Sequence, residues 1–151
     1  MCGIVGLFLK DKSMEAQLGA MLTDMLITMT DRGPDSAGIA IYSQDTVNIG
    51  KMTVQSDTPD VDFDKLTDDL KKRIKGDVDI RVQSTHAVLE LRADQVVVAR
   101  EALKEIRPNI RIMSTGDSLE IYKEVGLPKD WLLYTSPSPR DRTRTRMPAS
   151  A

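Results

Sequence analysis

The 151-residue sequence is poor in the residues that most enzyme chemistry relies on. It has one cysteine, Cys2, and one histidine, His86. A single thiol cannot close an internal disulfide, and one histidine with one cysteine cannot complete a structural zinc site, so no metal is expected. Apolar runs stop after a few residues, against the roughly 20 that a membrane-spanning helix needs. A formal net charge of −2 excludes a generic basic nucleic-acid binder. No G-x-x-x-x-G-K phosphate loop or dinucleotide fingerprint is present, so the chain is expected to carry no cofactor of its own. No basic stretch followed by an apolar core opens the chain as a signal peptide would. With a hydrophobic content of 40%, these absences predict a soluble, reduced, cytoplasmic globular protein.

The charge is unevenly placed. Leu132–Ala151 holds Arg140, Arg142, Arg144 and Arg146 against Asp141 alone, a net of +3. The remaining 17 basic and 22 acidic residues leave the chain before it at −5. The tail has three prolines and no helical or alternating period. As a charge run it reads as a solvated tail or as a nucleic-acid or membrane arm. As a string, LLYTSPSPRDRTRTRMPASA resembles translated sequencing-adapter read-through. On that reading 131–151 is non-native, and the native frame stops near Asp130 in a gene that continues.

Ahead of the tail the patterning is regular. Cys2–Leu9 is short, β-rich and apolar, and predicts a buried strand. Met14, Leu18, Met21, Leu22, Met25, Leu26 and Met29 recur at helical spacing. They predict an amphipathic helix from an N-cap at Ser13 to about Thr30, with the methionines as core packing. Asp31–Asp35 stops it. Gly38–Tyr42 reads as a second strand, Gln44-Asp45 as a turn, and Val47–Val54 as a third strand. Asp60–Lys75 places Phe63, Leu66, Leu70 and Ile74 on one helical face, ended by Gly76. Asp79–Val82 and His86–Leu91 alternate like strands. Asp94 is placed to cap a helix to Ile106, and Asn109–Met113 is strand-like again. From Val47 the order is β-α-β-β-α-β, that of a split βαβ unit. Asp117 with Glu120 three positions on predicts a capping box and a short helix to Val125. His86 is expected to be a strand surface or packing residue rather than to act in catalysis.

The chemistry concentrates at Cys2. Removal of the initiator methionine ahead of a small side chain leaves a thiol and a primary amine on one residue. The amine's ordinary pKa of about 7.7–8.0 leaves much of it neutral near physiological pH. It can therefore accept the thiol proton, directly or through a water, without a histidine. Taken alone, a strand cysteine is more simply a small buried hydrophobe.

Two segments together shift that balance. MCGIVGLF at the start, followed after one helix by DRGPDSAGIA, resembles the class II glutamine amidotransferases, members of the N-terminal-nucleophile (Ntn) hydrolases. The longer LGAMLTDMLITMTDRGPDSAGIAIY and the later STGDSLEIYKEVGLP look most like amidotransferase subunits of glutamate-synthase and N-methylglutamate-synthase systems. The resemblance implies that the Cys2 thiolate attacks the glutamine side-chain amide. Ammonia leaves, and water releases glutamate from the thioester. It implies a synthase subunit as the partner that receives the ammonia, and no nucleic acid or membrane partner. Arg32 and Asp35 would stand behind the nucleophile and order it, a role compatible with an ion pair closing the helix. Gly33, Pro34 and Gly38 would serve the backbone shape.

The resemblance also implies the fold class: α+β, the N-terminal part of an α-β-β-α Ntn-hydrolase sandwich, in which the split βαβ order from Val47 reads as a ferredoxin-like insertion. Residues 1–46 would open the amidotransferase domain, 47–113 form the insertion, and 114–130 begin the return. Parts of the family pattern are missing. No Thr-Arg-(Trp/Met)-Ala-Thr type motif is present to hold the substrate carboxylate, and no Asn-Gly pair to form the oxyanion hole. A donor of that kind contributes about 3–4 kcal/mol to the rate. Substrate-binding residues therefore stay unassigned, and the chain by itself is expected to be a weak or inactive glutaminase. An incomplete sheet also predicts a tendency to aggregate. The other class of function is a non-catalytic binding or regulatory module that keeps the amidotransferase N-terminal frame.

Overall fold

The structure, a computed structural model, describes residues 3–32, 35–43 and 47–130. The fold is mixed α+β with antiparallel sheets. The chain divides into two compact units, Met1–Ala37 with Glu124–Ala151, and Gly38–Lys123.

In the first unit Asp11 opens the helical region. Its carboxylate accepts from the Ser13 N–H at 2.9 Å and starts a 3₁₀ turn over Lys12–Gln17. The turn runs into α1 (Leu18–Thr28), so the cap is Asp11 and not the expected Ser13. Leu18, Met21, Leu22, Met25, Leu26 and Met29 are only half-buried, and Met14 is exposed. Thr23 is the single buried residue of α1. The methionine stripe is therefore not core as expected. It follows the helical period, but no second apolar layer closes over it among the described residues.

The strand expected at the N-terminus is also corrected. Gly3–Leu9 forms no ladder, and Ile4 and Phe8 are 94% and 84% exposed. A β-rich run becomes a strand only when a neighbour takes its backbone hydrogen bonds, and none does so among the described residues.

β1 (Ser36–Tyr42) leads into the second unit. Its centre is β2 (Ile49–Gln55), which begins and ends close to the expected strand. The helical segment after it is broken into α2 (Pro59–Asp62) and α3 (Leu66–Lys71). Lys65, at φ 51, turns the chain between them. The expected apolar face survives the break, with Phe63, Leu66, Leu70 and Ile74 all buried. Then follow β3 (Val78–Gln83), β4 (His86–Arg92), α4 (Val96–Ile106), β5 (Arg111–Gly116) and β6 (Leu119–Val125). Asp94 does not cap α4. Its carboxylate is taken by Arg92, at 3.1 and 2.7 Å. The helix expected after Asp117 is the strand β6, because Leu119–Val125 alternates inward and outward and pairs with β1.

Strands β2 to β5 form one sheet in the order β3-β4-β2-β5, each neighbouring pair antiparallel. The register sorts the side chains by face. Met52 and Val54 share one face with Leu89, Ala87 and Leu91 of β4 and with Val78 of β3. There they meet Leu66 and Leu70 of α3 and Ala99, Ala102 and Leu103 of α4 in one buried cluster. Each large aliphatic residue buried in that cluster contributes about 1.5–3 kcal/mol.

The opposite face is polar yet also buried. Lys51, Thr53, Gln55 and His86 are almost inaccessible on it. Thr53 Oγ1 has no hydrogen-bond partner, the one such buried side-chain atom among the described residues. An orphaned hydroxyl costs about 1–3 kcal/mol, whereas a methyl of the same size costs nothing there. Thr53→Val is expected to raise stability by about 1 kcal/mol in urea unfolding with an unchanged m-value. A loss of stability would mean that the hydroxyl is satisfied.

Candidate functional site

Of the predicted site residues, Cys2, Gly33 and Pro34 lie outside the described residues. Arg32 ends a 3₁₀ turn over Thr30–Arg32, and its side chain and that of Asp35 are exposed. Arg32 and Gly3 are brought together. A Cβ placed on Gly3 would collide with the Met29 methyl group and would lie 3.4 and 3.5 Å from Cβ and Cδ of Arg32. The backbone beside Cys2 thus runs against the arginine stem, and only glycine fits without displacing the methionine. The Asp35 carbonyl accepts from the Gly126 N–H at 2.9 Å, which ties the end of the motif to the segment after β6. Gly38 has a separate reason. A Cβ there would stand 3.1 Å from the Tyr122 carbonyl oxygen, so glycine lets β1 lie close on β6.

Sequence reading missed a second constellation in Gly38–Lys123. Glu120 and Tyr122, two apart on β6, both turn toward the polar face of the four-stranded sheet and are buried. Lys51 Nζ of β2 donates to Glu120 Oε1 at 2.9 Å and to Ser43 Oγ at 3.1 Å. Arg81 of β3 and the Tyr122 hydroxyl each donate to Glu120 Oε2 at 2.8 Å. One carboxylate therefore receives three donors on its two oxygens. Glu90, opposite Lys51 in the register, is 3.8 Å from the ammonium. Two β6 amides are also held by side chains of the sheet. Ile121 N–H donates to Ser114 Oγ at 3.2 Å, and Lys123 N–H to His86 Nε2 at 3.3 Å. His86 is fully buried with its ring 5.5 Å from that of Tyr122, the packing one of the two roles expected of it and not the surface one. The signal for this cluster was the alternation of Leu119–Val125, which the Asp117/Glu120 spacing obscured.

Burial acts against charge on Glu120 and is the largest single influence. The attraction of Arg81 and the hydrogen bonds from Lys51, Tyr122 and Arg81 together outweigh it, and the carboxyl is held down at about 2. Burial, and next the Glu120 charge, push the Tyr122 hydroxyl well above its ordinary range. Glu120 is thus ionised and Tyr122 neutral at all physiological pH. The folded-state pKa of Glu120 lies below its ordinary 4.5, so its stabilisation is complete above that pH and is lost as the pH falls toward 2. Glu120→Gln removes the charge that Lys51, Arg81 and Tyr122 all donate to and is expected to cost about 3 kcal/mol at pH 7. In thermal melts from pH 7 to 2, the gap between wild type and variant is expected to narrow below about pH 4.5. A gap independent of pH would show that the carboxylate is not held as charge.

Among the described residues no group of three His, Cys, Asp or Glu side chains could hold a metal ion, and no helix is long and apolar enough to cross a membrane. No protein-family model matches the chain, and no solved structure matches it with significance. Two curated proteins do. The chain is 57% identical over 130 residues to the glutamine amidotransferase-like protein GlxB of Rhizobium meliloti, covering 86% of this chain and 43% of that protein. It is 28% identical over 139 residues to a putative glutamine amidotransferase of Methanothermobacter thermautotrophicus, covering 83% of this chain and 44% of the relative. The chain therefore spans less than half the length of these relatives. Together the likenesses support a glutamine amidotransferase-like family for this chain.

Proposed function

We propose that this chain is part of a class II glutamine amidotransferase of the Ntn-hydrolase type, with Cys2 as the nucleophile after removal of Met1. The observation that carries the reading is the fit of Gly3 against Met29 and Arg32. It joins the two segments on which the family resemblance rests, MCGIVGLF and DRGPDSAGIA. On this reading the α-amine of Cys2 takes the thiol proton and the thiolate attacks the amide carbon of glutamine. Ammonia departs, and water hydrolyses the thioester to glutamate. A synthase subunit receives the ammonia by a sheltered route, which keeps it neutral and prevents its loss to bulk water.

Arg32 is then a positioning residue. Its stem fixes the backbone one residue beyond the nucleophile, and its guanidinium orders the segment carrying Asp35. Residues 47–113 are the ferredoxin-like insertion. The antiparallel order β3-β4-β2-β5, with helices between the first and second and between the third and fourth strands in sequence, supports that reading. On this reading the groups that bind the substrate carboxylate and the oxyanion are supplied from outside these 151 residues.

A glutamine-analogue electrophile tests the proposal on a version extended to the relatives' full length. Mass spectrometry is expected to find one adduct, on an N-terminal Cys2, that is absent from Cys2→Ser and suppressed by excess glutamine. Failure of that protein to label, or labelling that persists in Cys2→Ser, would overturn the assignment.

A further inference from the structure

The β1–β6 ribbon and the four-stranded sheet are held together differently from the sheet and its helices. The apolar cluster between the sheet and α3 and α4 contains no residue of β1 or β6. That half of the unit has a core without the ribbon. The ribbon has two strands only, too few to be stable alone in water. Its attachment to the sheet is mainly polar. Glu120 is gripped by Lys51 and Arg81, and two β6 amides hang on Ser114 and His86. Ile39 and Tyr122 of the ribbon, with Val88 on that face of the sheet, are the buried apolar part.

We propose that Glu120 is a latch, a single carboxylate caged by Lys51, Arg81 and Tyr122 that keeps the β1–β6 ribbon seated, so that the ribbon opens as a unit while the sheet and its helices stay folded. A buried ion cluster adds little net stability over an apolar contact, but it strongly penalises every arrangement that leaves a charge unpaired. A slip of β6 by one residue would turn Glu120 and Tyr122 outward and break the hydrogen bonds that Lys51 and Arg81 donate to the carboxylate. The latch therefore permits one seated register and one open state, with nothing stable between them. This inference concerns the ribbon itself and stands apart from the glutamine chemistry of Cys2.

Native-state hydrogen exchange on the full 151-residue chain, with sub-denaturing urea, tests it. Amides of 36–42 and 119–125 are expected to exchange through an opening with a weaker urea dependence than that of Met52, Val54 and Leu89. Glu120→Gln is expected to speed exchange of ribbon and sheet amides alike by about tenfold or more, because both openings break the latch, whereas Leu103→Ala, in the core that stays folded, is expected to speed the sheet amides alone. Lys51→Met is expected to give the Glu120→Gln pattern more weakly. Ribbon and sheet amides sharing one opening in the wild-type protein would overturn the latch without any variant. Acceleration of the ribbon amides in Leu103→Ala as large as that of the sheet amides would do the same.

Discussion

The four-stranded sheet has two buried faces of opposite character, and the period of two along β2 is what separates them. Met52 and Val54 look into an aliphatic core, while Lys51, Thr53 and Gln55 look into a layer of charges and hydrogen bonds. An aliphatic face tolerates many partners, because burial is non-directional. The charged face tolerates very few, because each buried ion needs its counterpart within hydrogen-bond reach. The aliphatic side thus gives the unit most of its stability. The charged side dictates which strand covers it and at which register.

The same division bears on the family motif. Asp35 precedes β1, and its carbonyl is held by Gly126, just past the end of β6. Both ends of the motif's exit are therefore set by strands whose pairing depends on small local fits, with Gly38 against the Tyr122 carbonyl foremost among them. On the other side Gly3 leans on Met29 and Arg32. Two glycines far apart in function-neutral composition turn out to mark places where backbone must come close.

Much of this was legible in the sequence because it is local. The strand alternations, the face formed by Phe63, Leu66, Leu70 and Ile74, and the β-α-β-β-α-β order all depend on periods that a short window contains. What escaped depends on partners distant in sequence. Asp117 and Glu120 have the spacing of a helix cap, but Glu120 is claimed by Lys51 and Arg81, 69 and 39 residues away. The break at Lys65 carries no glycine or asparagine to announce it. The N-terminal run has strand composition, but strand composition without a neighbour makes no ladder. Of the site, Arg32 and Asp35 are exposed and Gly38 lies in β1, while Cys2, Gly33 and Pro34 lie outside the described residues.

Both outer strands of the four-stranded sheet carry devices against adding a further strand. β3 points Arg81 inward to its carboxylate, so a neighbour pairing there would have to accommodate a fixed internal charge. β5 breaks register against β2 between Thr53 and Val54, which bends the edge away from a flat template. Self-association of this chain, where it occurs, is thus steered away from sheet fusion. The exposed Ile4 and Phe8 offer an apolar, strand-free route to it instead.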